Sequence, residues 1–275
     1  MKKLITLIIL TILIKDICCA QYYYKEILGN QQANSEILTY KKTNTHHIKI
    51  RNYEALGQEV AGFYCEKKIS NNFKKTTVFS KTIQSGRSIL NSYFNDQYQL
   101  IQTYDTTESF ACLNIIEYDK SGRVSFIKTI SRSKDDDFLT EIFEDHIYTY
   151  VNNLLSKMMV IKNKKDTSLV LFYTDEAGNV TIEKDTRNAA KYYYYYNTTN
   201  KLTDVVQTNE FKKNFATDYA FEYDDENNIS QMITSKEDNN NRLIWKYDYE
   251  NGFRIQERIF SGNNKFVGKI IYEYK

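Results

Sequence analysis

The stretch Phe221–Ile233, FEYDDENNISQMI, constrains the fold more than any other part of the chain. It reads aromatic, charge, Tyr-Asp, a run of turn formers, then a branched apolar residue that opens a new alternation. Alternation on either side of turn residues is the pattern of a β-hairpin. Variants of it recur. Tyr118-Asp119 leads through Ser121-Gly122 to Val124, and Tyr173 through Ala177-Gly178-Asn179 to Val180. Tyr196-Asn197 leads through Asn200 to Leu202, Tyr223-Asp224 through Asn227-Asn228 to Ile229, and Tyr247-Asp248 through Asn251-Gly252 to Phe253. From Tyr150 onward the tyrosines return about every 23–27 residues, a period that marks repeat architectures. The chain has no proline and only 9 glycines, so Asn and Asp must make most turns, both tolerating the left-handed conformation.

One unit shows the physics. Trp245, Tyr247 and Tyr249 share a strand face with Leu243, while Arg242, Lys246 and Asp248 take the other. Phe253, Ile255 and Ile259 return on the next strand, with Glu257 breaking the apolar face. A lone hairpin is marginal in water, so the units must pair edge to edge or stack. The expected fold is therefore all-β: repeated antiparallel hairpins forming an extended twisted sheet or an open solenoid-like shell. Tyr118, Tyr173, Tyr196, Tyr223 and Tyr247 are the expected repeat anchors, with their rings on one face. The repeats occupy residues 111–275. Residues 21–110 read as β-rich but unrepeated, with Tyr22–Tyr24, Ile37–Tyr40, Thr45–Arg51 and Lys75–Ser80 as short strands. Residues 135–151 carry both periods, and their Ile, Phe, Tyr and Thr content favours strand.

Residues 1–20 have the order of a secretory signal: Lys2 and Lys3, an apolar run from Leu4 to Ile14, and Ala20 before Gln21. The run is about 11 residues, too short to span a bilayer. Cleavage after Ala20 places the protein in the periplasm, at the cell surface or outside the cell. Neither Cys18 nor Cys19 has the residues before it that lipidation needs. The mature chain is close to neutral, which gives no electrostatic argument for nucleic acid. Cys65 and Cys112 remain, and an oxidising compartment would permit them to pair. Buried free thiols are the other reading.

The anchor, aromatic-x-Tyr-Asp, a short turn and then Ile or Val, resembles the YD repeat of the RHS family. Phe221–Ile229 (FEYDDENNI) and Ile116–Val124 (IEYDKSGRV) carry the likeness; Phe172–Val180 and Lys246–Phe253 are looser. The turn glycine of the family is often Asn here, and its arginine is mostly missing. The resemblance implies a long twisted sheet of hairpins, which large members of the family wind into a shell around a toxic domain. With this few repeats, no enclosed cargo is expected. The signal ending in Ala-Gln is similar to those of exported proteins of Bacteroidetes-type bacteria.

No phosphate loop, dinucleotide fingerprint, zinc helix or nucleophile elbow is present. No catalytic, cofactor or metal residue is assigned. His46 and His47 are adjacent, and in a strand they face opposite ways. His146 reads as a solvated strand position. The acidic runs Asp135–Asp137 and Asp224–Glu226 lack the ligand spacing of a calcium loop and read as turns. In Tyr192–Tyr196, alternation puts Tyr192, Tyr194 and Tyr196 on one face. Three functions compete: an exported non-enzymatic structural or binding protein, facing an unknown protein or a surface glycan; an outer-membrane β-barrel; and a secreted hydrolase with dispersed carboxylates. Against the second, Glu257 and Lys128 fall on otherwise apolar faces, where charge facing lipid is costly.

Overall fold

A computed structural model describes residues 21–134, 141–209, 212–236 and 238–275. The signal segment with Cys18 and Cys19, and the run Asp135–Asp137, lie outside the described residues. The first element among the described residues is a π-helical stretch, Tyr23–Leu28, which runs directly into helix α1 (Gly29–Thr43). Eighteen strands follow among the described residues. The first six are β1 (His47–Glu54), β2 (Tyr64–Ile69), β3 (Lys75–Thr82), β4 (Gly86–Phe94), β5 (Leu100–Thr107) and β6 (Phe110–Tyr118). Next come β7 (Val124–Ser133), β8 (Glu141–Val151), β9 (Leu154–Lys162), β10 (Asp166–Thr174), β11 (Val180–Asp185) and β12 (Lys191–Tyr196). The last are β13 (Leu202–Asn209), β14 (Lys212–Tyr223), β15 (Ile229–Lys236), β16 (Asp238–Glu250), β17 (Phe253–Ser261) and β18 (Phe266–Tyr274).

Each strand pairs antiparallel with its neighbours in sequence, and β18 returns to pair with β1 from Ile48↔Tyr274 to Glu54↔Gly268. The 18-stranded sheet is therefore a closed barrel. The all-β expectation holds, but the open sheet or solenoid does not: closure satisfies the two edges that an open sheet would leave as unpaired backbone. Gly268 sits at the seam, where a Cβ would come within 2.5 Å of the Tyr53 carbonyl. The wall includes strands from both sides of residue 110, so that boundary is no break in the architecture.

The turns use two chemistries. Asn152-Asn153, Asn163-Lys164 and Asn251-Gly252 have positive φ at both residues, as type I′ hairpins require. At the YD-like sites the turn is longer. The Asp119 N–H bonds Arg123 O, the Gly122 N–H bonds Asp119 O, and Gly122 takes φ 76°. Asp175, Asn197 and Asp224 repeat this, with Gly178, Asn200 and Asn227 in the left-handed position. The acidic or amide side chain explains its own place. Asp119 Oδ1 accepts from the N–H of Ser121 and Arg123, and Asp224 Oδ1 from Glu226 and Asn228.

The segments Tyr22–Tyr24 and Ile37–Tyr40, expected as strands, are helical and lie inside the barrel. Tyr23, Ile27, Ile37 and Tyr40 are buried in one cluster with inward residues of the wall, among them Val170, Tyr192, Val205, Trp245 and Ile270. The closed wall thus encloses the chain's own N-terminal helix, where an open sheet enclosing nothing was expected.

Candidate functional site in the barrel lumen

The anchor tyrosines form a series that includes Tyr118, Tyr196 and Tyr223 but neither Tyr173 nor Tyr247. In FEYDDENNI, Phe221 is buried, Glu222 faces out, and Tyr223 turns inward at the bulge before the turn. The Tyr223 hydroxyl donates to Leu202 O, on the first residue of the returning strand of the preceding hairpin, at 2.7 Å. The same link recurs at Tyr118 to Leu100 O, Tyr150 to Val124 O, Tyr196 to Val180 O, Tyr249 to Ile229 O and Tyr274 to Arg254 O, at 2.8–3.1 Å. Each of these six tyrosines therefore stitches its strand to the hairpin before it. Two expected anchors are corrected. Tyr173 is 50% exposed and faces out, because Thr174 stands at the position before Asp175 that tyrosine holds elsewhere. Tyr247 is buried, but it matches Phe221 in register, and Tyr249 is the anchor. Tyr192 and Tyr194 are buried and Tyr195 is 49% exposed, as alternation requires.

The helical plug is fixed to the wall by matched polar groups as much as by apolar contact. The N–H groups of Tyr22 and Tyr23 donate to the two oxygens of Glu183, and the Tyr194 hydroxyl donates to the same carboxylate at 2.8 Å. Glu183 is 0% exposed, and burial pushes its carboxyl up to about 7. Glu26 of the plug meets His146 Nδ1 at 2.8 Å and accepts from the Tyr148 hydroxyl. His146 Nε2 reaches Glu144 at 2.7 Å, and Glu144 pairs with Lys162 at 3.0 Å. His146 is thus a 3%-exposed link between plug and wall, and not the solvated position expected. Burial alone would depress its imidazole; Glu26 and Glu144 override this and raise it to about 10. Nearer the other end of the plug, Asn34 Oδ1 accepts from the Leu100 N–H at 2.7 Å, and Lys67 Nζ reaches Glu36 at 2.8 Å.

Glu257, which broke the apolar pattern, faces inward with Arg254 Nη1 at 3.0 Å and the Tyr272 hydroxyl at 2.6 Å. The Arg254 guanidinium lies 4.2 Å over the Tyr247 ring. Most of these pairings are not visible in sequence, because they join residues far apart in the chain; Glu144 with His146 and Arg254 with Glu257 are the local exceptions. Only the inward parity of residues 144, 146 and 257 could have placed them in the lumen.

Cys65 and Cys112 do not form the expected disulfide. Both are free, on β2 and β6, with β3, β4 and β5 between them. Four strand spacings of about 4.8 Å each exceed the reach of a disulfide, whose Cα atoms lie within about 7 Å. Burial pushes the Cys65 thiol up to about 12 and raises that of Cys112. His46 and His47 do face apart: His46 packs on the Phe73 ring, and His47 meets Glu66 at 3.0 Å.

The lumen has two linings. On β12–β18 it is aromatic and filled. On β3–β7 the small or polar residues Ser88, Thr103, Asp105, Cys112, Asn114 and Ser131 share the inward face with apolar Val78, Leu90, Ile116 and Ile127. Their face is fixed by register: Lys67, which touches the plug, is linked through Val78 and Leu90 to Asp105, then to Cys112 and Ser131.

These features define a class: a closed antiparallel barrel of stitched hairpins, filled by its own N-terminal helix. No protein-family model and no curated protein matches the chain. Solved structures do resemble it. A porin-like protein from Bacteroides uniformis aligns at TM-score 0.40 and 8% identity, over 84% of this chain and 98% of that one. The TcdB2-TccC3-Cdc42 complex aligns at TM-score 0.34 and 10% identity, over 81% of this chain and 14% of that one. The Photorhabdus luminescens Tc holotoxin pore gives 0.35 and 13%, over 80% and 11%. At these scores the likenesses carry no argument about function.

Proposed function

We propose that the protein is an exported, non-enzymatic barrel built of YD-like hairpins that stands in water as a structural or binding protein. The observation that carries this reading is the polarity of the wall. A transmembrane barrel turns an apolar band outward and a polar surface inward. Here the large buried cluster is inside. Outward positions carry Lys49 and Arg51 on β1, Lys68 on β2, Lys246 on β16, Arg258 on β17 and Lys269 on β18. At the bilayer midplane each such cation would cost about 2–4 kcal/mol. The lumen carboxylates Glu26, Glu144, Glu183 and Glu257 are committed to plug or wall partners, which supports a non-enzymatic role over a hydrolase. The partner remains an unknown protein or a surface glycan, and export rests on the signal-like segment.

A membrane barrel is the second reading. The closed sheet favours it, as do outward Leu113, Ile130, Phe143, Met159 and Leu171 on β6–β10. Yet Lys128, Asp145 and Lys157 interrupt that same surface. Cell fractionation separates the two. Recovery without detergent in the periplasm, the medium or an alkaline wash supports the proposal. Retention in the outer membrane through that wash overturns it in favour of the membrane barrel.

A further inference from the structure

We infer that the small-residue side of the lumen, on β4–β7, is a binding recess for a small polyhydroxylated amine, an amino sugar being the simplest case. Small and polar inward side chains stand there where β12, β14 and β16 carry aromatic rings. Ser88, Thr103, Cys112 and Asn114 are only half-buried although they face the lumen, and Ile142, on the same inward parity as Glu144 and His146, is 44% exposed. The lining is rich in acceptors. Asn114 Nδ2 already donates to Thr103 Oγ1 at 2.9 Å, and Thr129 Oγ1 to Asn114 Oδ1 at 2.7 Å, which leaves hydroxyl lone pairs to spare. Asp105 is 4% exposed; Ser88 Oγ donates to its Oδ1 at 3.3 Å, but its Oδ2 has no partner. A buried acceptor without a donor costs about 1–3 kcal/mol, more when charged. Among the described residues the inward cationic groups of this part of the lumen are engaged: Lys67 by Glu36, Lys162 by Glu144, and His146 by Glu26 and Glu144. The site therefore suits a ligand that brings donors and positive charge, and disfavours an anion. Phe110, two residues before Cys112 on the same face, offers a ring on which a sugar can stack.

The inference deepens the reading of the barrel as a binding protein and rests on it. Its test reads the recess itself, so it is separate from fractionation. Cys112 lies directly across from Asp105, so its alkylation by iodoacetamide reports occupancy, with buried Cys65 as the internal reference. Asp105 Oδ2 is covered, so binding has to move a neighbouring side chain, and the labelling rate will register that. In the exported protein, millimolar D-glucosamine is expected to slow Cys112 labelling several-fold, and D-glucose to slow it much less. Asp105→Asn is expected to abolish the difference. Ser88→Ala, which removes only the hydroxyl beside Asp105, is expected to weaken protection and serves if the first variant does not fold. Three outcomes overturn the inference: a Cys112 that does not label in the folded protein, a rate indifferent to glucosamine, or equal protection by glucose.

Discussion

A tyrosine placed just before a turn aspartate does two jobs at one residue. Its ring closes the core at the end of the strand, and its hydroxyl satisfies a carbonyl of the preceding hairpin. Tyr223→Phe keeps the ring and removes the link to Leu202 O. It should lower stability by about 1 kcal/mol, whereas Tyr173→Phe, at a half-exposed outward site, should change it by less than about 0.5. The converse also follows. Thr174 is too short to make the link, so Thr174→Tyr should gain up to about 1 kcal/mol where the others lose it. Urea midpoints of the three variants check the series. Tyr247→Ala should cost about 3 kcal/mol or more, since it removes a buried ring together with the support of Arg254. Asp248 faces out and pairs with Arg258, so Asp248→Ala should cost less than about 1 kcal/mol. Equal small losses at 247 and 248 would mean that Tyr247 is not core.

At the scale of the element, the plug decides what kind of barrel this is. Helix α1, GNQQANSEILTYKKT, has little apolar periodicity, so it gives no amphipathic signal and Ile37–Tyr40 reads as a strand fragment. It is helical because it lies within a closed sheet that offers no edge to pair with, and because the wall pairs with Asn30, Asn34 and Glu36 while Gln31, Gln32 and Ser35 stay exposed. Ile37, fully inside, should cost about 2–5 kcal/mol when cut to alanine. Asn34→Ala should cost about 1–3 kcal/mol despite removing no apolar contact, because it strands the Leu100 N–H. Thermal melts of both, with amide exchange at Leu100 followed in the second, test whether the plug is bound by specific pairs or by general burial.

At the scale of the whole molecule, two lumen groups should make stability fall as pH rises. Glu183 has a folded pKa near 7, above the unfolded value of about 4.3. The native state keeps its proton while the unfolded chain loses it, so stability declines between about pH 4.3 and 7. His146, folded near 10 against about 6.5 unfolded, contributes stability that is complete below pH 6.5 and lost as pH rises towards 10. Chemical denaturation across pH 4–10 should show both declines. Glu183→Gln, which still accepts hydrogen bonds, should flatten the lower one. His146→Gln should flatten the upper one while lowering stability throughout, since it leaves Glu26 and Glu144 without their shared cation. A wild-type curve that is flat or rises from pH 6.5 to 10 would rule out the buried imidazolium.

The sequence by itself determined the hairpins. Period-two alternation and turn formers are local, and a hairpin is a local object, so Asp119, Asp224 and the residues after them were legible at their correct places. It also determined that the tyrosines are structural, though at Phe172–Thr174 the eye follows the tyrosine and not the register, a slip that turns Tyr173 from core to solvent. Only the tertiary structure decided closure, because the pairing of β18 with β1 joins residues 48 and 274, and no local pattern encodes whether a sheet's ends meet. The plug, the imidazole between two carboxylates, the buried Glu257 pair and the polar recess all follow from closure. A closed wall creates an inside, and only an inside lets a charged side chain be isolated from water and its partner come from anywhere in the chain.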